Sequence, residues 1–538
     1  MILKKLKNYL RNKFLKVIIL IKKILKIFRQ ITLSSQEKNF IKNNNKIINI
    51  KKIKKKTFLI QGFWNYYILL LFKYLLLKKN IHERYEIVAI WPINIYPYKY
   101  NENIFYNKLR NFYYFLIQKK WSKLYKSIGA KYFYDLEPDN FKIKNRNYKI
   151  ATKIIKKIKT KKDVLDLKFK NIPVGDLVYD TFLRLGREAT LELNHPFLLE
   201  CIYKTLNALS AISEVDKKHN INVFYSTYSV YIQHGIPVRY LLNKSKSLVF
   251  SFGNPLFTSI KKLSKQDSIH TVAYQKFKKN FENLENKKIK IKFAKDELEK
   301  KFSGGNDFST RNNFLPINTY KSKKKIAKID LSKIDGVLFL HDFFDSPHLW
   351  GDLLYPDLYE WAIDTLLEIK KNNLRIAIKS HPNSRIESLK INLKLESMFN
   401  DLVWIDKDLS NTFIFKQNNI KFGISCYGTI LYEMAYHNKI VISAGSNPTS
   451  SFDIAFTPKN INEYKYFLNN AGKLKIKKKQ KEEVQKLYYM YFLHDYFYSN
   501  DSDLNFVNKI NLIKLLYDDT GKIKNFDKKI NKKILSDK

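Results

Sequence analysis

Ser425, Gly428 and Thr429 stand in a short polar break after the apolar run Ile420–Ser425, and Glu433 lies one helical turn beyond Thr429. Such a break can cradle a phosphate. A glycine admits a ligand close to the backbone, hydroxyls donate, and the first N–H groups of a helix are unpaired and favour an anion. A carboxylate one turn on is placed to accept from a ribose hydroxyl. The same residue types also serve plainer ends: Ser425 and Thr429 as helix caps, Glu433 as a solvated surface group. Two further polar clusters follow apolar runs, His341-Asp342 and Ser380-His381-Pro382-Asn383.

The elements that must position these groups are legible in the hydrophobic pattern. Strands are predicted at Gly336–Leu340, Leu374–Lys379, Leu402–Ile405, Ile420–Ser425 and Lys439–Ser443. Helices are predicted between them at Asp357–Lys371, Arg385–Met398 and Leu409–Gln417, with another opening at Tyr427. In the first, Leu358, Trp361, Ala362, Thr365, Leu366 and Ile369 make one stripe at the helical period. Strands alternating with helices imply a doubly wound parallel sheet, whose ligands sit beyond the carboxyl ends of its strands. The polar clusters fall at those ends.

The first half shows the same alternation. Strands are predicted at Thr57–Gln61, Glu86–Trp91, Asp163–Lys170, Asn222–Tyr225 and Ser247–Ser251, and helices at Val174–Gly186 and His195–His219. Trp64–Lys79 is very apolar; because a strand follows it, it reads as a buried helix rather than a membrane span. His234-Gly235 and Arg239 lie just after the small polar turn Ser226-Thr227-Tyr228. The fold class expected is therefore α/β, with two Rossmann-like doubly wound domains facing a cleft.

The domain plan has five parts. Residues 1–56 form a basic segment, 57–260 a first Rossmann-like domain, 261–330 a helical linker, 331–475 a second Rossmann-like domain, and 476–538 a helical tail. In the first segment Leu6, Leu10, Phe14, Ile18, Ile21, Leu25 and Phe28 recur at threes and fours among Lys and Arg, and only Glu37 is acidic. That is the pattern of an amphipathic helix lying on an anionic membrane surface. The chain of 538 residues carries a net charge of +50. Its lysines are spread along the whole length with abundant Asn and Ile, the bias an AT-rich genome imposes, so specific nucleic-acid binding is not inferred. Two cysteines, Cys201 and Cys426, give no disulfide framework and suit a reducing cytoplasm.

The plan of two α/β domains with the nucleotide-type loop in the second resembles GT-B glycosyltransferases. Lys379-Ser380-His381-Pro382-Asn383, then Gly428-Thr429 and Glu433 before Lys439-Ile440-Val441-Ile442, resembles bacterial capsule and surface-polysaccharide transferases and the related CDP-glycerol glycerophosphotransferases. Val337–His348 with Tyr359-Glu360-Trp361 resembles the same group. The resemblance spans about residues 57–475. It implies transfer of a sugar, or alternatively a polyol phosphate, from a nucleotide-activated donor to a surface glycan or lipid-linked acceptor at the cytoplasmic membrane face. A non-catalytic scaffold that kept the fold is the other alternative. By the resemblance, Ser380, Asn383, Ser425, Gly428 and Thr429 would bind the donor and Glu433 its ribose. His381 would contact the donor phosphate and be catalytic, donating to the pyrophosphate leaving group. The resemblance also implies that the first domain is the acceptor domain and the second the nucleotide-donor domain. His234 would be a base at the acceptor hydroxyl, although a structural turn histidine fits the sequence as well. Arg239, His341 and Asp342 are candidate phosphate or acceptor contacts. His341, Asp342, Asp345 and His348 could alternatively bind a metal, although their spacing fits no closed structural site. Because GT-B enzymes usually manage without a bound metal, the resemblance implies neither metal nor cofactor beyond the nucleotide-sugar substrate. Asp176, Asp180, Glu188 and Glu192 are the first domain's available carboxylates, none in a decisive context.

Overall fold

The computed structural model describes residues 27–47, 56–65, 81–97, 104–244, 246–252, 260–264, 274–305, 320, 330–351 and 353–494, with a few positions between 68 and 76. Residues 1–26 of the expected basic helix, the Lys323–Lys325 run and the tail beyond 494 lie outside them. After α1 (Ser35–Ile47), the first half runs β1 (Lys56–Gln61), β2 (Tyr85–Trp91), α2 (Ile104–Ser127), β3 (Ala130–Asp135), α3 (Phe141–Ile155) and α4 (Lys161–Leu165). A two-residue hairpin follows, β4 (Lys168–Phe169) and β5 (Ile172–Pro173). Then come α5 (Gly175–Thr181), a π-turn at Phe182–Gly186, α6 (Pro196–His219), β6 (Ile221–Ser226), α7 (Tyr231–Asn243), β7 (Leu248–Phe252) and β8 (Ile260–Lys262).

The main sheet has the order β3-β2-β1-β6-β7-β8, parallel except for β8. Side chains alternate between its faces, and both faces are buried: Phe58 and Ile60 enter one core, Leu59 the other. The described positions of the apolar stretch after β1, Ile68, Leu69, Phe72, Leu75 and Leu76, are buried in the first of these cores. Among the described residues no helix is long and apolar enough to cross a membrane.

The strand expected at Asp163–Lys170 is instead α4 and the hairpin. Thr160 and Asp163 form a capping box, each side chain accepting from the other's backbone N–H at 3.1 and 2.8 Å, and this starts a helix where apolar content suggested a strand.

The second half runs α8 (Phe277–Glu282), α9 (Lys287–Phe302), β9 (Gly336–Phe339), α10 (Leu358–Lys371), β10 (Ile376–Lys379), α11 (Ile386–Met398), β11 (Val403–Ile405), α12 (Asn411–Lys416), β12 (Phe422–Ser425), α13 (Ile430–Tyr436), β13 (Ile440–Ser443), α14 (Ile461–Asn469) and α15 (Gln480–Tyr488). The sheet order is β11-β10-β9-β12-β13, all parallel. Val337 and Phe339 face one core, Leu338 and Leu340 the other. Helices α8 and α9 do not stand apart: Phe277, Phe281, Ala294 and Leu298 join the second sheet's core with Val484 and Leu487 of α15.

Both sheets wind outward from their first strand in two directions, the Rossmann-like order. The order reverses between β1 and β6 in the first sheet and between β9 and β12 in the second.

Candidate active site

The loops after β9, β10 and β12 come from three adjacent strands, and the fold therefore gathers the histidine clusters and the glycine turn. The rings of His341 and His381 lie 5.8 Å apart, and Tyr427 stands edge-on to His341 at 6.5 Å. Gly428 has φ +102, where a residue with a Cβ is strained, and a Cβ there would meet nothing within 4 Å. This stretch of backbone borders open space. Thr429 opens α13 without a side-chain cap. Ser425 does not cap the helix either: its Oγ lies 3.0 Å from the Phe339 carbonyl and 2.9 Å from that of Tyr427, binding β12 to β9 and closing the turn. Ser380 and Asn383 are half-buried on the turn after β10.

Several predicted site residues are engaged elsewhere. Glu433 is buried, not solvated, and its carboxylate accepts from the Tyr320 hydroxyl at 2.6 Å and pairs with Lys301 at 3.2 Å. A ribose would have to share or displace those partners. Asp342 organises its own loop, accepting from Phe344 N–H at 3.0 Å and from the Ser388 hydroxyl at 2.6 Å. Arg239 is neither an exposed helix charge nor an open phosphate ligand. It is buried and bidentate to Asp176, both contacts 2.5 Å, and donates to the Pro173 carbonyl at 2.8 Å. The four groups of the His341–His348 spacing go separate ways, and among the described residues no set of three or more His, Cys, Asp or Glu is placed to hold a metal.

On the first-domain side, Gln61 ends β1. Its Oε1 accepts from the Ser226 hydroxyl (3.0 Å) and the Thr227 hydroxyl (3.1 Å), and its Nε2 donates to the Gln233 carbonyl (3.1 Å). This fixes the turn that leads to His234. A Cβ on Gly235 would sit 2.5 Å from Leu177, so α7 packs close against α5 and residue 235 must be glycine. His234 is half-buried, its ring 5.8 Å from both Phe63 and Tyr228, and its Nδ1 has no hydrogen-bond partner.

The loop after β9 bridges the domains. Arg184 reaches the Phe344 carbonyl (3.4 Å) and Asp345 (3.8 Å), with its guanidinium 5.9 Å from the Tyr231 ring centre. His348 Nδ1 is 2.6 Å from Asp180 Oδ1, both groups buried. Asp357 caps α10 and accepts from Tyr179 and Thr190 across the seam. The loop after β9 thus starts beside His341 and His381 and runs onto the first domain at Arg184, Tyr231 and Asp180. Gln61 could have been found by the strand-end rule that found His381; no sequence signal marks Arg184.

Burial controls the ionisation of these groups. It lowers the pKa of His234 from 6.5 to about 4. It does the same for His381, with the neighbouring His341 adding to the effect. Burial also brings Lys379, beneath the loops, down to about 8, with Asp408, Asp406 and Glu433 resisting. Asp180 is pushed by burial up to about 6 despite His348. Burial opposes charge on His348, but Asp180 outweighs it and holds its pKa up.

A pH prediction follows. Between about 4 and 6.5 the unfolded chain protonates His234 and His381 while the folded chain does not, so the contribution of these two rings to stability falls as pH falls through that window, against an opposite contribution from Asp180 and His348, whose pKa values are raised. Each ring should contribute on the order of 1–2 kcal/mol, allowing for partial exposure. Urea midpoints of wild type and His234→Gln, measured from pH 7 to pH 5, check this: the variant should lose less stability on acidification.

No protein-family model matches the chain, and no curated protein matches it. Solved structures with some likeness include a UDP-GlcNAc 2-epimerase from Neisseria meningitidis bound to UDP-GlcNAc, at 10% identity over 87% of this chain and 100% of that one, TM-score 0.24. Others are the S. aureus MnaA–UDP structure, at 10% identity over 86% and 95%, TM-score 0.27, and a UDP-glucose:anthocyanidin 3-O-glucosyltransferase with UDP, at 9% over 90% and 99%, TM-score 0.22. At these scores none of them bears on substrate or chemistry.

Proposed function

We propose that the chain is a glycosyltransferase that moves a sugar from a nucleotide-activated donor to a capsule or other surface glycan, on a lipid-linked or glycan acceptor, peripherally at the inner face of the plasma membrane. The observation that carries this reading is a half-buried, uncharged histidine at the sheet-reversal point of each domain, with the loop after β9 running from one domain onto the other. Beside Gly428 and Thr429, His381 can donate to the departing pyrophosphate and stabilise its growing charge. In the first domain, His234 presents an unpartnered Nδ1 that can accept the proton of an acceptor hydroxyl. Its low pKa keeps the imidazole uncharged at neutral pH, and a bound anionic donor would raise its basicity. Asp176 and Asp180 are committed to Arg239 and His348, which removes two of the first domain's four candidate carboxylates and favours the imidazole as the base.

The test is thermal-shift binding of the full chain against CMP, CDP, UDP, GDP and their sugar conjugates. One base should raise the melting temperature, since ligand at about a hundred times its Kd is worth roughly 2.7 kcal/mol. The strained variant Gly428→Val should lose the shift while melting within a few degrees of wild type. No shift with any nucleotide in a folded chain would favour the scaffold alternative.

A further inference from the structure

Helix α2 is apolar on two opposite faces. Ile117, Trp121, Leu124 and Tyr125 point into the core. Leu109, Phe112 and Phe115 point outward and are 55%, 58% and 58% exposed. Ile27 and Phe28 are likewise 47% and 60% exposed. The backbone carbonyl of Arg29 accepts from Lys120 at 3.2 Å, and Gln30 accepts from the Tyr113 hydroxyl, which pins this turn against α2. Leu109, Phe112 and Phe115 therefore share one outer face, and the segment held against the same helix exposes two more large apolar side chains, an arrangement soluble surfaces rarely leave uncovered.

The charge around this face says what covers it. The 24 residues of α2 include no acid; Lys120 is buried against Glu37 and Arg110 lies over Tyr96, while Lys108, Lys119, Lys123 and Lys126 are exposed. Residues 1–26, which lead directly to Ile27, are apolar and basic in turn and also contain no acid. A second copy of this chain would bring cations against cations across a twofold axis. An anionic bilayer offers an apolar interior for the phenylalanines and phosphates for the rim.

We infer that the outward face of α2, together with Ile27 and Phe28, seats on an anionic membrane surface. The face borders the His234 side of the first domain: Tyr114 stacks on Trp64 at 5.2 Å, and the ring of the adjoining Phe63 is 5.8 Å from His234. Resting on the transferase reading above, this places a membrane-borne acceptor within reach of His234 by way of Phe63.

The experiment is co-sedimentation of the full chain with vesicles of phosphatidylcholine alone or in equimolar mixture with phosphatidylglycerol. Wild type should partition onto the mixed vesicles, and the double variant Phe112→Ser, Phe115→Ser should lose about tenfold or more in partition. Both rings are exposed, so an unchanged melting curve is expected to confirm its fold. The comparison variant carries Lys288→Glu, Lys292→Glu and Lys295→Glu, in a lysine-lined groove of about 900 Å³ on the second domain. It should stay within about twofold of wild type if the face, and not bulk charge, does the docking. Equal loss in both variants, no loss in the phenylalanine variant, or no binding by wild type would each overturn the inference. So would light scattering that shows a dimer dissolved by the phenylalanine variant with no vesicle binding. Nucleotide thermal shifts are read on the same proteins: vesicle binding without any shift keeps the docking face and removes the transferase reading, and the reverse result removes the face alone.

Discussion

His381→Ala is expected to lower turnover of the nucleotide-activated donor by about a hundredfold or more, with little change in melting temperature. The ring stands at the carboxyl end of β10, half-buried, stacked on His341, with a buried Nδ1 that has no hydrogen-bond partner. A buried polar atom left unpaired costs stability, and a protein keeps it where a ligand completes it. Removing the ring therefore removes that cost along with some packing, and the fold should hardly notice. Chemistry should notice, because the ring, uncharged at neutral pH, still carries one N–H that can donate to a leaving phosphate. The loss should fall on kcat more than on KM, since the interaction strengthens only as charge develops. His381→Asn, which keeps a donor of shorter reach, should recover part of it. Steady-state kinetics beside a thermal melt would decide. Turnover unchanged within about threefold would make His381 a packing residue of the β9–β10 edge and return the chemistry to the His234 side.

How far the sequence could reach is clearest in α10. The stripe Leu358, Trp361, Ala362, Thr365, Leu366 and Ile369 is predicted from its period and is the set of residues buried in that helix. Period reports burial because a helix in a two-layer fold has one inner face. The strand-end rule placed His341, His381 and Gly428 together for a similar reason: in a parallel sheet all the carboxyl ends lie on one edge. Pair choice was not legible. Arg239 meets Asp176 across 63 residues and Glu433 meets Tyr320 across 113, and nothing in their neighbourhoods marks the partner. β3 escaped notice because it is an edge strand, half of it only partly buried, and so shows no clean apolar run. The misread strand at Asp163 is different, since Thr160-x-x-Asp163 was a local start signal in plain view that apolar content outweighed.

The largest loss of stability is expected from Asp357→Ala, about 4 kcal/mol. Asp357 is fully buried. Its Oδ1 accepts from the N–H groups of Tyr359 and Glu360 at 3.0 and 2.9 Å, which caps α10. Its Oδ2 accepts from the Tyr179 hydroxyl at 2.7 Å and the Thr190 hydroxyl at 2.6 Å, with Lys161 3.6 Å away. The cap alone is worth about 1 kcal/mol. The rest comes mainly from stranding the buried Tyr179 hydroxyl, at about 1–3 kcal/mol for a group left unsatisfied; Thr190 is half-buried and keeps Lys161 as a partner, so it adds less. Tyr179→Phe should cost less, because it removes the donor along with the need for an acceptor. In the double variant the two losses should fall short of adding, by about 1–2 kcal/mol, because they break one shared contact. Denaturant midpoints give these numbers. Since the contact spans the two domains, Asp357→Ala should also lower turnover at temperatures where the chain is still folded, by loosening the loop that runs from His341 onto the first domain. A loss below about 1 kcal/mol would mean that water takes the place of the carboxylate and that the domains part at this seam without cost.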